Sequence, residues 1–334
     1  MKLSLNNFRN FKKKTIELDQ FPLFIFGSNG SGKTSILEAI YYLSTSKSFR
    51  TNKKNNLIEF NSSTAALGLD FNKFKLQIKL DKKENNIYFF NQKKVPRYKF
   101  INQFLTQIFW WGDFKLAYGE PSERRKFLNL LGLQISAKHL QYLSLYKKIL
   151  AERSFALKKR DLDLLDIWDR KISVVAENIY FIRKKTLELL NKDLIDNLGK
   201  IKKDFSNPKV LYRGEFLNKN NFYNKLLRSR KNDLIDLKTR FGPHRDDLEF
   251  CWQNESLANF SQGEVKSYLL SLCFNFLFNL GDKQKYFLID DVLAEIDPKV
   301  ISQLINLSCQ KNISLILTHQ KKPGFKFSGK IIKV

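Results

Sequence analysis

Gly27 is followed by Ser28-Asn29-Gly30-Ser31 and then by Gly32-Lys33-Thr34, a spacing that suits a phosphate cradle. Glycines let the chain turn tightly with its N–H groups facing inward. A helix beginning near Lys33 would add the positive end of its dipole. Lys33 would then reach the β- and γ-phosphates of a nucleoside triphosphate, and the Thr34 hydroxyl would bind Mg²⁺. Far along the chain, Tyr286-Phe287-Leu288-Ile289 runs into Asp290-Asp291. An acid ending a buried strand is the second Mg²⁺ ligand of such a site, which fits Asp290. Asp291 is placed to orient or deprotonate the attacking water. In isolation, two acids after a strand also read as a helix cap or turn.

Three further groups fit the same chemistry and each has a plainer reading. Ser261-Gln262-Gly263-Glu264 reads as a capping box before an apolar helix, and the same capped N-terminus is an anion site. Asp297-Pro298 reads as a helix start, with Asp297 as cap and Pro298 at the first position. His319 follows the apolar run Ile313–Leu317, where a switch residue would sense the γ-phosphate. A lone histidine is otherwise structural.

Elements must hold these groups in place. Leu3–Leu5, Thr15–Leu18 and Leu23–Phe26 are short strand candidates, and a helix is expected from about Lys33 to Leu43. Residues 65–71, 74–80 and 86–90 alternate apolar and polar, as half-buried antiparallel strands do. From Ser122 to Lys203 the chain is proline-free, with apolar positions three or four apart: Phe127, Leu130, Leu131; Leu140, Leu143, Tyr146; Ile167, Ile172, Val175, Ile179, Ile182. This predicts two or three long helices forming a hairpin-like insert. A basic helix near 228–240, a strand at Asp247–Trp252 and an apolar helix from Val265 to about Leu280 follow. The expected organisation is an α/β core with buried parallel strands, divided as 1–115 (phosphate loop and antiparallel strands), 116–207 (helical insert) and 208–334 (the rest of the nucleotide site).

Composition bounds the partners. The chain has 334 residues, of which 59 are Lys or Arg and 33 Asp or Glu, a net charge of +26. Such a surplus favours a polyanion, either nucleic acid or an anionic membrane surface. Cys251, Cys273 and Cys309 form no CxxC pair and read as reduced, buried small hydrophobes. No signal-peptide pattern opens the chain, and the run 268–280 is too short to span a bilayer. A soluble, cytoplasmic protein with no membrane partner is expected.

The chain resembles the RecF family of bacterial DNA replication and repair proteins, relatives of the structural-maintenance-of-chromosomes ATPases. The resemblance is carried by Asn7-Phe8-Arg9-Asn10-Phe11, Gly27–Thr34, Ser48-Phe49-Arg50, the block from Gly119-Glu120-Pro121-Ser122-Glu123-Arg124-Arg125 to Leu128, Gly242-Pro243-His244-Arg245-Asp246-Asp247-Leu248, Ser261–Glu264 and Ile289–Asp297. It implies an ABC-type ATPase head of two lobes with an inserted helical domain. It also implies ATP and Mg²⁺ as cofactors and an ATP-dependent homodimer in which each phosphate loop faces the other copy's Ser261 helix. The seam would run along Asp297. Double-stranded and gapped DNA, RecO and RecR are the implied partners, and recombinase (RecA) loading and the SOS response the implied setting. Two departures stand out. Residues 110–115 occupy the usual Q-loop position without a clear glutamine. Asp291 stands where most cassette ATPases carry Glu, one methylene longer, so weak, slow hydrolysis is expected. A transporter subunit and a non-hydrolysing ATP-gated clamp are the alternatives.

Overall fold

The computed structural model describes residues 1–201, 206–291, 296, 298–324 and 327–334. The chain opens with β1 (Lys2–Phe8), β2 (Phe11–Glu17), β3 (Leu23–Phe26) and α1 (Lys33–Thr45). Next come β4 (Thr64–Asp70), β5 (Lys75–Asp81), β6 (Ile87–Phe90), β7 (Lys93–Val95), the single turn α2 (Arg97–Phe100) and β8 (Leu105–Phe109). A helical run follows: α3 (Lys115–Tyr118), α4 (Pro121–Ile135), α5 (His139–Lys159), α6 (Leu162–Asn191) and α7 (Leu194–Ile201). After it lie β9 (Lys209–Arg213), α8 (Lys219–Asp236), β10 (Asp247–Trp252) and β11 (Glu255–Ser256). The chain closes with α9 (Gln262–Asn279), β12 (Lys285–Ile289), α10 (Pro298–Gln310), β13 (Ile313–His319) and β14 (Lys330–Lys333).

These elements form two units: residues 1–114, 193–206 and 260–334, and residues 115–192 and 207–259. In the first, an antiparallel sheet runs in the order β2-β1-β4-β5-β6-β7 and a parallel sheet in the order β14-β3-β13-β12-β8. The antiparallel strands alternate as half-buried strands should: β5 buries Leu76, Ile78 and Leu80 and exposes Lys75, Gln77 and Lys79. The parallel strands are apolar runs, and Phe287, Leu288 and Ile289 of β12 are fully buried. Helix α1 packs against β8 and β13 of one sheet and β1, β4 and β5 of the other, so every residue from Ser35 to Thr45 is buried. Helix α9 packs on β8 and β12, and α7 packs on α9 and α10.

The second unit is built on α6. Its 30 residues bury Leu165, Ile172, Val175, Ala176, Ile179 and Ile182 against α4, α5, α8 and β9. Strand β10 pairs antiparallel with β9 and β11. Arg153 is fully buried and ion-pairs with Asp169 (2.5 Å) and Asp233 (2.9 Å), while Arg230 reaches the other Asp169 oxygen at 2.7 Å. Two blocks quoted for the resemblance meet here. Arg124 donates to both Asp247 oxygens at 2.8 and 2.7 Å, and Arg125 donates to the Asp246 carbonyl at 3.0 Å. Arg183 donates to the Asp246 carboxylate and the Pro243 carbonyl, and Tyr146 bonds His244 at 2.9 Å. Gly242 sits at φ +131°, where an added Cβ would lie 2.4 Å from the Tyr146 hydroxyl, so glycine is required.

The units divide the chain at places other than 116, 207 and 208. Residues 207–259 belong with the helices, because β9 pairs with β10 and α8 packs on α6; residues 193–206 belong with the sheets, because α7 packs on α9 and α10. Strands β7, β8, β9 and β14 carry no clear periodicity. In β8 the polar Thr106 and Gln107 are as buried as their apolar neighbours, so no alternation marks it. Ile167, one of the apolar positions named above, is 48% exposed, and Leu165 is buried instead. Cys251 and Cys273 are buried as expected; Cys309 is exposed. Among the described residues, no helix is long and apolar enough to cross a membrane.

Candidate nucleotide site

Strand β3 ends at Phe26, α1 begins at Lys33, and the phosphate loop lies between them. Gly30 and Gly32 have φ of +81° and +103°, and at Gly32 an added Cβ would also meet the Phe11 ring at 2.3 Å. An added Cβ at Gly27 would lie 2.2 Å from the Val334 carbonyl oxygen. The Ser31 N–H donates to the Ser28 carbonyl at 3.3 Å, closing the turn over Asn29, and the Asn10 amide donates to the Gly30 carbonyl at 3.0 Å. Lys33 Nζ donates to the carbonyls of Gly27 and Ser28, both at 2.8 Å, which folds its ammonium back over the loop. Gly32 is the N-cap of α1; no side chain caps that end and no acid lies in its first turn. Its free N–H groups and positive dipole end are left for an anion.

Asp290 follows the last residue of β12. Thr34 Oγ1 lies 3.0 Å from both its carboxylate oxygens, and Thr318 Oγ1 donates to Oδ1 at 2.8 Å. Burial holds the Asp290 carboxyl above the usual range, against the pull of the Thr318 and Thr34 hydroxyls; the neighbouring Asp291 charge pushes the same way as burial. A desolvated carboxylate beside a hydroxyl is a fitting pair of hard oxygen ligands for Mg²⁺. Among the described residues no three His, Cys, Asp or Glu cluster as a metal cage, and Mg²⁺ beside phosphates does not need one. Asp291 sits at φ +53°; its N–H donates to Thr318 Oγ1 at 3.0 Å, and its Oδ1 accepts from His319 Nδ1 at 2.7 Å.

A cavity of about 970 Å³ gathers Asn29, Gly30, Gly32, Lys33, Thr34, Asp290 and Asp291. His319 lies beside it through Asp291, and its neighbours Thr318 and Gln320 line the wall. Ser261, Gln262 and Gly263 do not line this cavity. They are exposed at the start of α9, where Glu264 accepts from both the Ser261 N–H (3.0 Å) and hydroxyl (2.7 Å), so the capping box is formed. Around an added Cβ at Gly263 there is open space. Asp297 lies outside the described residues.

The cavity also holds residues to which the sequence assigned no role. Arg9 and Arg50 line it, and both are tied to Glu38 of α1, which is fully buried. Arg9 donates two bonds of 2.7 Å, Ser48 one of 2.5 Å, and Arg50 lies at 3.6 Å. Phe60, 90% exposed, lines the same cavity, and Lys82 Nζ donates to its carbonyl at 3.0 Å. Arg9 and Arg50 sit in blocks already singled out for the resemblance. Phe60 had no signal beyond being an aromatic between polar residues.

A family model described as "RecF/RecN/SMC N terminal domain" matches residues 1–334. A protein of Leptospira interrogans serogroup Icterohaemorrhagiae serovar copenhageni (strain Fiocruz L1-130), named DNA replication and repair protein RecF, is 34% identical over 321 residues, covering 91% of this chain and 87% of its own length. The chain belongs to the RecF family. The protein of the same name from Clostridioides difficile (strain 630) is 32% identical over 328 residues, with the same coverage. The solved structure of the recombination mediator protein RecF with ATP, from the RecFOR pathway, superposes with a TM-score of 0.85 at 28% identity, covering 99% of this chain and 94% of that one. An Smc head domain from Pyrococcus furiosus superposes at 0.52 with 16% identity, covering 96% and 89%, and shares the fold. The fold is therefore the mixed α/β ATPase head expected, and the family assignment sets aside a transporter subunit.

Proposed function

We propose that this chain is an ATP-binding recombination mediator of DNA replication and repair, in which ATP closes two copies head to head on duplex DNA near single-strand gaps. The observation that carries this reading is the separation, within one chain, of Ser261–Gly263 from the cavity that holds Lys33, Thr34 and Asp290. An uncovered helix N-terminus in one copy and an open phosphate loop in the other would complete each other. Nucleotide would then act as the switch for pairing.

In the closed pair, the loop N–H groups and Lys33 would hold the triphosphate, and Thr34 with Asp290 would hold Mg²⁺. Bound there, Mg²⁺ would neutralise phosphate charge during hydrolysis. Asp291 receives the proton of the attacking water, and His319 fixes the carboxylate that receives it. The exposed Phe60 ring is a stacking face for the base at the cavity mouth. The surplus of 26 positive charges supplies sequence-independent phosphate contacts, with Lys and Arg of the helical unit as candidates. RecO and RecR are the partners to which the RecFOR pathway of the relatives points, and recombinase loading at gaps is the outcome.

Sedimentation with and without ATP tests the pairing. Lys33→Ala should lose both ATP binding and dimerisation, whereas Ser261→Arg should bind ATP and stay monomeric. Variants that dimerise like the parent chain would overturn the shared site. A non-hydrolysing clamp would instead pair normally and release no phosphate in a single turnover.

A further inference from the structure

We propose that Arg125 and Arg245 together grip one backbone phosphate of bound DNA. This inference rests on the reading above that the chain binds DNA, and it names the two side chains that make one such contact. Both belong to the unit built on α6: Arg125 opens the second turn of α4, and Arg245 sits on the turn before β10.

These two cations are left without a carboxylate. Asp247 gives both its oxygens to Arg124. Asp246 is taken by Arg183 at 3.0 Å and by the Tyr212 hydroxyl. His244 adds no charge near neutral pH, because burial pushes it down to about 4. Arg125 has one bond, to the Asp246 carbonyl at 3.0 Å. Arg245 is exposed, and among the described residues its side chain has no hydrogen-bond or ion-pair partner. Burial pushes the Arg125 guanidinium below its usual value, Asp247 and Asp246 pull it up, and the charges of Arg183 and Arg245 push it down. Arg245 is thus near enough to repel Arg125, and an anion held by both relieves that repulsion.

The turn under Arg245 is set before any ligand arrives. The Arg245 N–H donates to the Gly242 carbonyl at 2.8 Å, and Arg183 donates to the Pro243 carbonyl at 2.8 Å. His244 is held between the Tyr146 hydroxyl at 2.9 Å and the Thr239 carbonyl at 3.0 Å. From Gly242 to Asp247, every polar side chain except that of Arg245 is therefore tied down within the unit. A preset backbone keeps the ordering cost of binding small. A forked guanidinium matches two phosphate oxygens, and a phosphate contact carries no base information.

The test measures binding of the full chain, with ATP and Mg²⁺, to two labelled duplexes of unrelated sequence over a range of salt. Arg245→Gln should weaken both by about tenfold and lower the slope of log K against log salt by about one. Arg245→Lys should recover part of the affinity, because an ammonium keeps the charge and loses the fork. Adding Arg125→Gln should cost less than its loss alone, since one phosphate serves both groups. The urea midpoint and ATP-driven pairing of Arg245→Gln should match the parent chain, because this side chain holds nothing within the fold. If the parent binds duplex and Arg245→Gln binds it equally with the same slope, this inference falls and the DNA-binding reading stands. A parent chain that ignores duplex DNA at low salt overturns both. Inorganic phosphate that displaces DNA from the parent, beyond sulfate at equal ionic strength, would make this a small-anion site and overturn the inference. So would loss of binding to phosphatidylglycerol vesicles in Arg245→Gln with DNA binding kept.

Discussion

His319 Nδ1 donates to Asp291 Oδ1 at 2.7 Å, and the Asp291 N–H in turn donates to Thr318 Oγ1 at 3.0 Å, so strand β13 sets the direction of the short acid. Such bracing offsets the missing methylene by removing rotamers that aim elsewhere. Asp291→Asn should therefore slow single-turnover phosphate release by about 10²–10⁴-fold with ATP affinity unchanged. His319→Ala should slow it less, and the double variant should match Asp291→Asn alone. Additive losses would show that the pair does not act as a unit.

The Phe60 ring should matter to the base and not to the phosphates. Phe60→Ala is expected to weaken ATP binding by about 1–2 kcal/mol, in line with aromatic stacking on a base, while inorganic tripolyphosphate binds as before. Equal losses for both ligands in a calorimetric titration would place the ring in a structural role.

The buried Arg153 pairs give a stability prediction. Asp169 is fully buried and accepts from Arg153 and Arg230. Asp169→Ala strands both guanidinium groups and should cost about 3–5 kcal/mol, seen as a lower urea midpoint. Breaking a surface pair such as Arg170–Asp166 by Arg170→Ala, with Arg170 67% exposed, should leave the urea midpoint nearly unchanged.

Acid should loosen the helical unit. Burial pushes His244 down to about 4 and His139 down to about 3, from 6.5. Both are depressed, so the unfolded chain binds more protons than the folded one between those values and 6.5. Stability is therefore full above about pH 6.5 and falls as pH drops toward 4, by about 1.4 kcal/mol per unit for each histidine. Neither ring nitrogen of His139 has a hydrogen-bond partner, so His139→Leu should keep the fold and flatten the slope. Denaturation midpoints at pH 7 and pH 5 check this.

The phosphate loop and the Asp290-Asp291 pair were legible because each chemistry needs contiguous residues after an apolar run, and spacing alone records that. Strands with clean alternation, such as β5, and the fully apolar β3 were legible for the same reason. What spacing cannot record is which distant segments share a partner. Arg9 and the pair Ser48 and Arg50 converge on Glu38 from two separate places in the chain, and nothing in the pattern of α1 marks that acid as buried. The boundary at 207 was misplaced likewise, because the pairing of β9 with β10 joins residues far apart in the chain, Arg213 with Asp247 at one end and Lys209 with Cys251 at the other. Among the apolar positions of α6, Leu165 is buried and Ile167 faces outward, which sequence alone does not separate.

The bidentate bond from Arg124 to Asp247 bears on how this molecule could be dissected. A gene fragment cut at residue 207 would discard β9, α8 and β10 and, with them, the Asp246 and Asp247 acceptors of Arg124, Arg125 and Arg183, leaving Arg124 the Gly119 carbonyl and Arg183 the Asn129 amide oxygen. A soluble helical arm for isolated study must instead carry two separated stretches of polypeptide, joined by a short tether in place of 193–206.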